Sequence, residues 1–325
     1  MKKTYKIALI AGGFCMIVGL LLAGTSFITS CAGSDDEDFG FKNLSNTKYT
    51  DKTFKVVGTF DGISADVASE DVYLIKTDGE TRVEAHVDEN KKVTVNVKEN
   101  VLYIRSDNEN FKMFSFGTDD TYIKVYLNNS EFDGKLSIDT ASGDVYLENG
   151  FEFGNMRIGT ASGDIKMTET KAGNLEASTA SGNVYAEKVQ ISGSAYMDSA
   201  SGDHTVIDSK FGNLKSDTSS GDAKITGTTV EGLLERNSSS GETGISNTTS
   251  DSFSIDTTSG DVTFEKFDAH RMHIETTSGE VEGTFLSGKI FTIDTSSGDI
   301  RVPSDEGSDV CEIETTSGDV NIKIA

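Results

Sequence analysis

The sequence predicts an all-β chain wound as a parallel β-solenoid (β-helix), and three observations predict it. The triplet Ser-Gly-Asp, with Glu or Asn replacing some aspartates, recurs ten times. Its glycines, Gly143, Gly163, Gly182, Gly202, Gly221, Gly241, Gly260, Gly279, Gly298 and Gly318, cover 175 residues in nine intervals, a mean period of about 19.4. Apolar and polar residues alternate on both sides of each triplet, and no helical run of about 10–12 residues is available to cover a sheet. Two short strands in about 19 residues cannot bury an apolar face alone, so repeats must stack as rungs about 4.8 Å apart, and ten rungs make a rod of roughly 48 Å. A propeller blade needs about 40 residues and four strands, which this period does not supply.

The N-terminus places the rod. Lys2, Lys3 and Lys6 precede Ile7 to Ile28, an uncharged and mostly apolar stretch. As a helix it would reach about 33 Å, enough to cross a bilayer core. Asp35, Asp36, Glu37 and Asp38 follow, so the charge bias sends everything beyond residue 35 to the extracytoplasmic side of the membrane. Residues 1–31 therefore read as a membrane anchor of one of two kinds. Ile28-Thr29-Ser30-Cys31 resembles a lipobox, which would leave Cys31 lipidated, whereas the length of the apolar run favours an uncleaved single span. Cys15 lies within that run as a small hydrophobe. Residues 32–53 are a polar tether rich in Gly, Ser, Asp and Asn.

From 54 to 134 the chain reads as degenerate opening rungs and a cap, as terminal repeats require. Ser69-Glu70-Asp71-Val72-Tyr73-Leu74 echoes Ser142-Gly143-Asp144-Val145-Tyr146-Leu147 without the glycine. Asn108 to Asp120, with Phe111, Met113, Phe114 and Phe116, reads as an inserted loop packing over the rod end, the alternative being a contact patch.

Residues 135–325 are the regular repeats. Seven and five residues before each glycine stand mostly apolar pairs such as Leu136 and Ile138 or Met272 and Ile274; two and four after it stand pairs such as Val145 and Leu147 or Val320 and Ile322. These are two strands with one buried face each. Three before the glycine the residue is always Ser or Thr, from Thr140 to Thr315, a hydroxyl ladder suited to tying the corner to itself or to the next rung. Glycine is expected to supply a positive φ at the corner, and the following Asp or Asn to close an Asx-type turn. The final strand, Val320 to Ile324, has no polar cap and reads as an open edge.

Two acidic columns result. Directly after the glycine stand Asp144, Asp164, Asn183, Asp203, Asp222, Glu242, Asp261, Glu280, Asp299 and Asp319; four before it, seven of ten residues are acidic. Stacked carboxylates invite a hard cation, so Asp144, Asp164, Asp203, Asp222, Asp261, Asp299 and Asp319 are the candidate calcium ladder. The competing reading is turn chemistry and solubility, and the nonapeptide spacing of calcium-binding β-rolls is absent. No other cofactor is indicated. Between residues 195 and 245 the columns weaken, with His204, Ser216, Ala223, Arg236 and Thr243 at positions held elsewhere by Val, Ile or Met. A buried arginine is expensive, so the rungs are expected to bend and release Arg236 to solvent; the alternative is a ligand pocket using His204 and Arg236. His270 and His273 lack a third metal ligand nearby, and Cys311 reads as a small buried hydrophobe.

Composition narrows the function. The formal charge is −24, and because the first 30 residues hold three lysines and no acid, the remainder carries −27. Without a basic patch, nucleic-acid binding has no electrostatic basis. Three scattered cysteines support neither a disulfide framework nor a zinc site. G-x-S-x-G, H-E-x-x-H and the P-loop are missing, and recurrent turn acids are not the differentiated pair that glycoside cleavage needs. The chain reads as a non-enzyme.

Phe60-Asp61-Gly62-Ile63-Ser64, Ser69-Glu70-Asp71-Val72, Ile123-Lys124-Val125-Tyr126-Leu127 and the tandem Ser-Gly-Asp-Val units resemble the bacterial putative-adhesin family of β-strand-repeat proteins, the DUF4097 type, over residues 54–325. The resemblance implies a membrane-tethered, adhesin-like binding module on the bacterial cell surface, with envelope or cell-surface components as partners. The second reading it implies is an accessory sensor or scaffold of an envelope stress response. It carries over no catalytic residues.

Overall fold

The structure, a computed structural model, describes residues 48–107, 121–304 and 307–325. The anchor 1–31 with Cys15 and Cys31, most of the tether and the insertion Asn108–Asp120 lie outside the described residues. Among the described residues no helix is long and apolar enough to cross a membrane.

Alternation of buried and exposed residues makes each repeat a long strand, a corner and a short strand, and stacking gives a parallel β-solenoid of about nine turns. The long strands Glu131–Thr140, Glu152–Thr160, Lys171–Thr179, Gln190–Ser199, Lys210–Thr218, Thr229–Ser238 and Thr249–Thr257 pair in parallel, each with the next. The short strands, from Val145–Leu147 to Thr243–Ser246, do the same on a second face. Val262–Thr276 runs through both sheets as one strand. Between the faces lies a continuous apolar column that includes Leu136, Ile138, Val145, Leu147, Met156 and Ile158, and it thickens at Phe253, Phe264, Phe267 and Phe285, where Phe264 and Phe267 stack and Phe253 and Phe285 meet them edge to face.

The chain leaves each short strand through a left-handed residue: Asn149, Glu169, Lys188, Asp208, Asn247 and Lys266 have φ of 43°, 51°, 53°, 48°, 48° and 54°, and only Gly227 fills this column with glycine. The Ser-Gly-Asp corner is different. Of its ten glycines only Gly298 has a positive φ, so the expectation that glycine serves backbone handedness there is corrected. What excludes a side chain is the rung beneath: a β-carbon on Gly202 would lie 1.6 Å from the Gly182 carbonyl oxygen. Glycine lets successive corners stack backbone on backbone.

The rungs between 195 and 245 carry the same bulge early in the long strand as their neighbours do, at Phe211/Leu214 and Val230/Leu233, but keep register where the polar residues stand. Met197, Ser216, Arg236 and Ile255 remain register partners in one column.

Rung order departs from sequence order at both ends. The opening strand Gly62–Val67 lies between Glu131–Thr140 and Val101–Asp107, and Asp71–Lys76 lies between Val145–Leu147 and Tyr122–Leu127. Antiparallel strands close this end: Lys92–Lys98 on one face, and Arg82–Asp88 followed by Tyr49–Lys55 on the other, so a strand starts inside the expected tether. At the far end Asp309–Thr315 sits between Val262–Thr276 and Lys289–Thr295, while Val320–Ile324 sits between Val281–Phe285 and Ile300–Arg301. The last strand is therefore not the open edge the sequence suggested. Lys289–Thr295 and Ile300–Arg301 are outermost, with Ile290 and Ile300 exposed.

Candidate functional site

Three columns meet at the Ser-Gly-Asp corner. The Thr140, Thr160, Thr179, Thr218, Thr257, Thr276 and Thr315 hydroxyls each accept the N–H of their own corner glycine at 3.0–3.2 Å. Thr160 and Thr179 also donate to the glycine carbonyl one rung below, at 3.3 and 3.2 Å. These two hydroxyls, and that of Thr218, thus work within the rung and between rungs, because a hydroxyl both donates and accepts.

The residue after glycine forms a second ladder. Oδ1 of Asp71 accepts the Asp144 N–H, Oδ1 of Asp144 that of Asp164, Oδ1 of Asp164 that of Asn183, and the chain continues through Asp203, Asp222 and Glu242 at 2.7–2.9 Å. Asp261 serves Glu280 and Asp319 serves Asp299 in the same way. Asn183 fits because only its Oδ1 is needed. Glutamate does not: among the described residues no such bond runs from the Asp261 N–H to Glu242, whose extra methylene moves the oxygen away. One oxygen each of Asp71, Asp144, Asp164, Asp203, Asp222, Asp261 and Asp319 is committed to a backbone N–H, whereas Asp299, in the outermost rung, pairs its carboxylate with Arg301 at 3.1 Å. The column four before the glycine lies on the outer face of the long-strand sheet, where Asp139 meets Arg157 at 3.4 Å and Asp217 meets Lys215 at 3.4 Å. Burial pushes the Asp139, Asp217 and Asp256 carboxyls up from the usual range, against the pull of Arg157, Lys215 and His273 respectively. Among the described residues no three of His, Cys, Asp and Glu converge as a metal's ligands would. His270 faces Asp251 at 3.7 Å and His273 faces Glu312 at 3.4 Å.

The middle rungs hold a buried polar cluster. Arg236 is fully buried, contrary to the expectation that it reaches solvent. The sequence could not show what receives it. Its guanidinium donates to the carbonyls of Gly221 (2.9 Å), Asn237 (3.1 Å) and Ser216 (3.4 Å) and to the Thr243 hydroxyl (3.4 Å). Burial lowers it to about 10, with Asp217, Asp222 and Asp203 pulling the other way. His204, 1% exposed, places Nδ1 2.7 Å from the Ser216 hydroxyl while Nε2 finds no partner among the described residues. Burial, and then the charge of Arg236, hold His204 down to about 3. Thr243 of this cluster also lines, with Asp222, Lys224 and Glu242, a shallow concavity of about 440 Å³ on the short-strand face. Cys311 is buried as expected, its thiol pushed up to about 12 by burial.

Two buried ion pairs escaped the sequence reading. Glu70 takes the place of a corner glycine and pairs with Lys91, accepting also from Ser106 Oγ at 2.8 Å. Burial raises its carboxyl, but Lys91, Ser106 and the Ser69 N–H together leave it lowered. The missing glycine was the available signal. At the other end the buried Lys289 pairs with Asp268 and Asp309 and donates to the Ala269 carbonyl at 2.8 Å.

The outer face of the short-strand sheet carries stacked rings. Tyr73 and Tyr146 stack at 4.7 Å, Lys124 sits over Tyr73 and Tyr122, and the Tyr146 hydroxyl donates to Asp144 at 2.9 Å. A shallow concavity of about 400 Å³ on the long-strand face is lined by Asp61, Gly62, Ser64, Tyr103, Lys135 and Ser137 among others.

The Toastrack DUF4097 family model matches residues 60–246 and 233–325. The chain belongs to the Toastrack DUF4097 family. No curated protein matches. Solved structures to which this Toastrack chain is similar include a putative adhesin from Parabacteroides distasonis ATCC 8503, at 15% identity over 86% of this chain and 98% of that one, with a TM-score of 0.46. A putative adhesin from Bacteroides fragilis NCTC 9343 is 17% identical over 85% and 97%, with a TM-score of 0.37. A putative lipid binding protein from Parabacteroides distasonis ATCC 8503 is 16% identical over 86% and 98%, with a TM-score of 0.41.

Proposed function

We propose that this Toastrack chain is a binding rod of the bacterial cell surface, adhesin-like, held at its membrane by residues 1–31 with the solenoid on the extracytoplasmic side. The observation that carries the reading is where the chain enters. Tyr49–Lys55 is the outermost strand at one end of its sheet, so a tether before it joins the rod at that end. The opposite end then stands roughly 60 Å away, at about 4.8 Å per strand, and both outer faces are left free for contact. Lys2, Lys3 and Lys6 before the apolar run and the acids after it support the orientation.

The test is co-sedimentation of the detergent-solubilised full chain with bacterial cell wall and with unrelated surfaces, in calcium and in chelator. Pelleting with a surface supports the reading. Failure under every condition, with recovery of neighbouring membrane proteins instead, would refute it in favour of a stress accessory. Calcium is the ion to try on Asp144, Asp164, Asp203, Asp222, Asp261, Asp299 and Asp319, each of which keeps at least one oxygen outside the ladder bonds; calcium-dependent pelleting would assign them a binding role. Labelled fatty acid that is incorporated by the wild type and not by Cys31→Ala decides for the lipid anchor over the span.

A further inference from the structure

We propose that the concavity beside Tyr103 is a binding trough for a neutral saccharide, which rests on the surface-binding reading and names its ligand class. The trough follows from register. On the outer face of the long-strand sheet Tyr103 is the partner of Ser64, Ser64 of Ser137, and Ser137 of Arg157. Two small side chains therefore lie between two large ones whose strands are three steps, roughly 14 Å, apart. The volume of about 400 Å³ is in the range of small-ligand sites, roughly 300–1,000 Å³.

The walls suit a sugar. A pyranose has an apolar C–H face and a rim of hydroxyls that both donate and accept. Tyr103 is 38% exposed, and among the described residues no ring or cation covers it, whereas Tyr73 and Tyr146 cover each other. Its ring is free to stack on the apolar face. Ser64 and Ser137 supply hydroxyls at the floor. Asp66 and Asp139, the next outward pair along the same two strands, supply acceptors at one end, and Lys135 supplies a donor at the other.

Charge argues for a neutral ligand. In a chain of −24, Asp61, Asp66, Glu99 and Asp139 are here set against Lys135, Arg105 and Arg157. Arg105 pairs with Asp66 at 3.2 Å and Arg157 with Asp139 at 3.4 Å, which leaves Asp61, whose Oδ1 accepts the Asp133 N–H, and Glu99 against Lys135, an excess of one negative charge that disfavours an anion and is too small to hold a polycation. The first pair is solvent-exposed and the second half-buried, and both are weak enough to exchange for ligand hydroxyls.

The experiment titrates the full chain with maltotriose, cellotriose and tri-N-acetylchitotriose by calorimetry, with inorganic phosphate and spermidine as charged controls. At least one trisaccharide is expected to bind, at least tenfold more weakly to Tyr103→Ala and to Ser137→Phe, which fills the floor, while both variants melt as the wild type does. Binding of no trisaccharide, equal binding by Tyr103→Ala, or displacement of the sugar by phosphate or spermidine overturns the proposal. Pelleting with a surface that is independent of Tyr103 refutes the trough and spares the surface reading. Tyr103-dependent trisaccharide binding without pelleting does the reverse.

Discussion

Replacing His204 by valine should make the rod less sensitive to acid. Folded, the imidazole is held down to about 3; unfolded, it returns to about 6.5. Between those values the unfolded chain holds a proton that the folded one does not, so stability rises with pH across that window and this contribution is lost as pH falls from 6.5 toward 3. From pH 7.5 to pH 5.0 the change is about 2 kcal/mol, at about 1.36 kcal/mol per pH unit below 6.5. Valine occupies the equivalent position at Val184, one rung away, so the pocket accepts it. It leaves the Ser216 hydroxyl without its 2.7 Å partner, a cost of about 1–3 kcal/mol that does not vary with pH. Urea unfolding followed by circular dichroism at both pH values gives the comparison. The wild type should lose about 2 kcal/mol more than His204→Val between pH 7.5 and 5.0. Equal losses would refute the assignment of a buried, neutral histidine.

Gly202→Ala should lose about 3 kcal/mol or fail to fold, because the new methyl meets the Gly182 carbonyl at 1.6 Å, while Gly244→Ala, with nothing nearer than 3.6 Å, should gain roughly 0.5 kcal/mol; thermal melts of the pair separate steric from conformational roles of glycine. Asp164→Asn keeps the acceptor for the Asn183 N–H and should stay within about 0.5 kcal/mol of wild type, whereas Asp164→Ala should lose about 1 kcal/mol in the same urea titration. Lys188→Gly, at φ 53°, should raise stability by about 1 kcal/mol, seen as a higher melting temperature; an unchanged or lower one would contradict the left-handed corner.

Much of this fold is legible in the residues because a solenoid repeats its chemistry. Thr140, Gly143 and Asp144 recur in nearly every rung, and each recurrence reports the same hydrogen bond. What the sequence hides is whatever the repeat makes degenerate. Phe291 and Cys311, Ile293 and Ile313, and Thr295 and Thr315 are register partners, so either order of the last two rungs satisfies the same columns, and the inversion leaves no mark in the pattern. The corner glycine announces that a side chain is forbidden without saying whether φ or the rung below forbids it. Arg236 looked unaffordable in the core because its acceptors are main-chain carbonyls, which every residue has and no letter shows. The trough beside Tyr103 depends on Ser64 and Ser137 falling side by side from strands 73 residues apart, a juxtaposition only register supplies.

The inverted order at the far end changes how the chain can be taken apart. In a solenoid wound in sequence order, the terminal rung touches one neighbour, and a processive unfoldase or exopeptidase seizing the tail peels it from a single ladder. Here Val320–Ile324 is gripped along Val281–Phe285, with Ile300–Arg301 over its first residues, and Ala325 donates to the Phe285 carbonyl at 2.8 Å. Pulling Val320–Ile324 out by the chain that follows it must shear two ladders together. The outermost rung, which would loosen first, is a loop fastened at both ends and offers no free terminus to thread. The tip can therefore breathe without giving degradation a starting point.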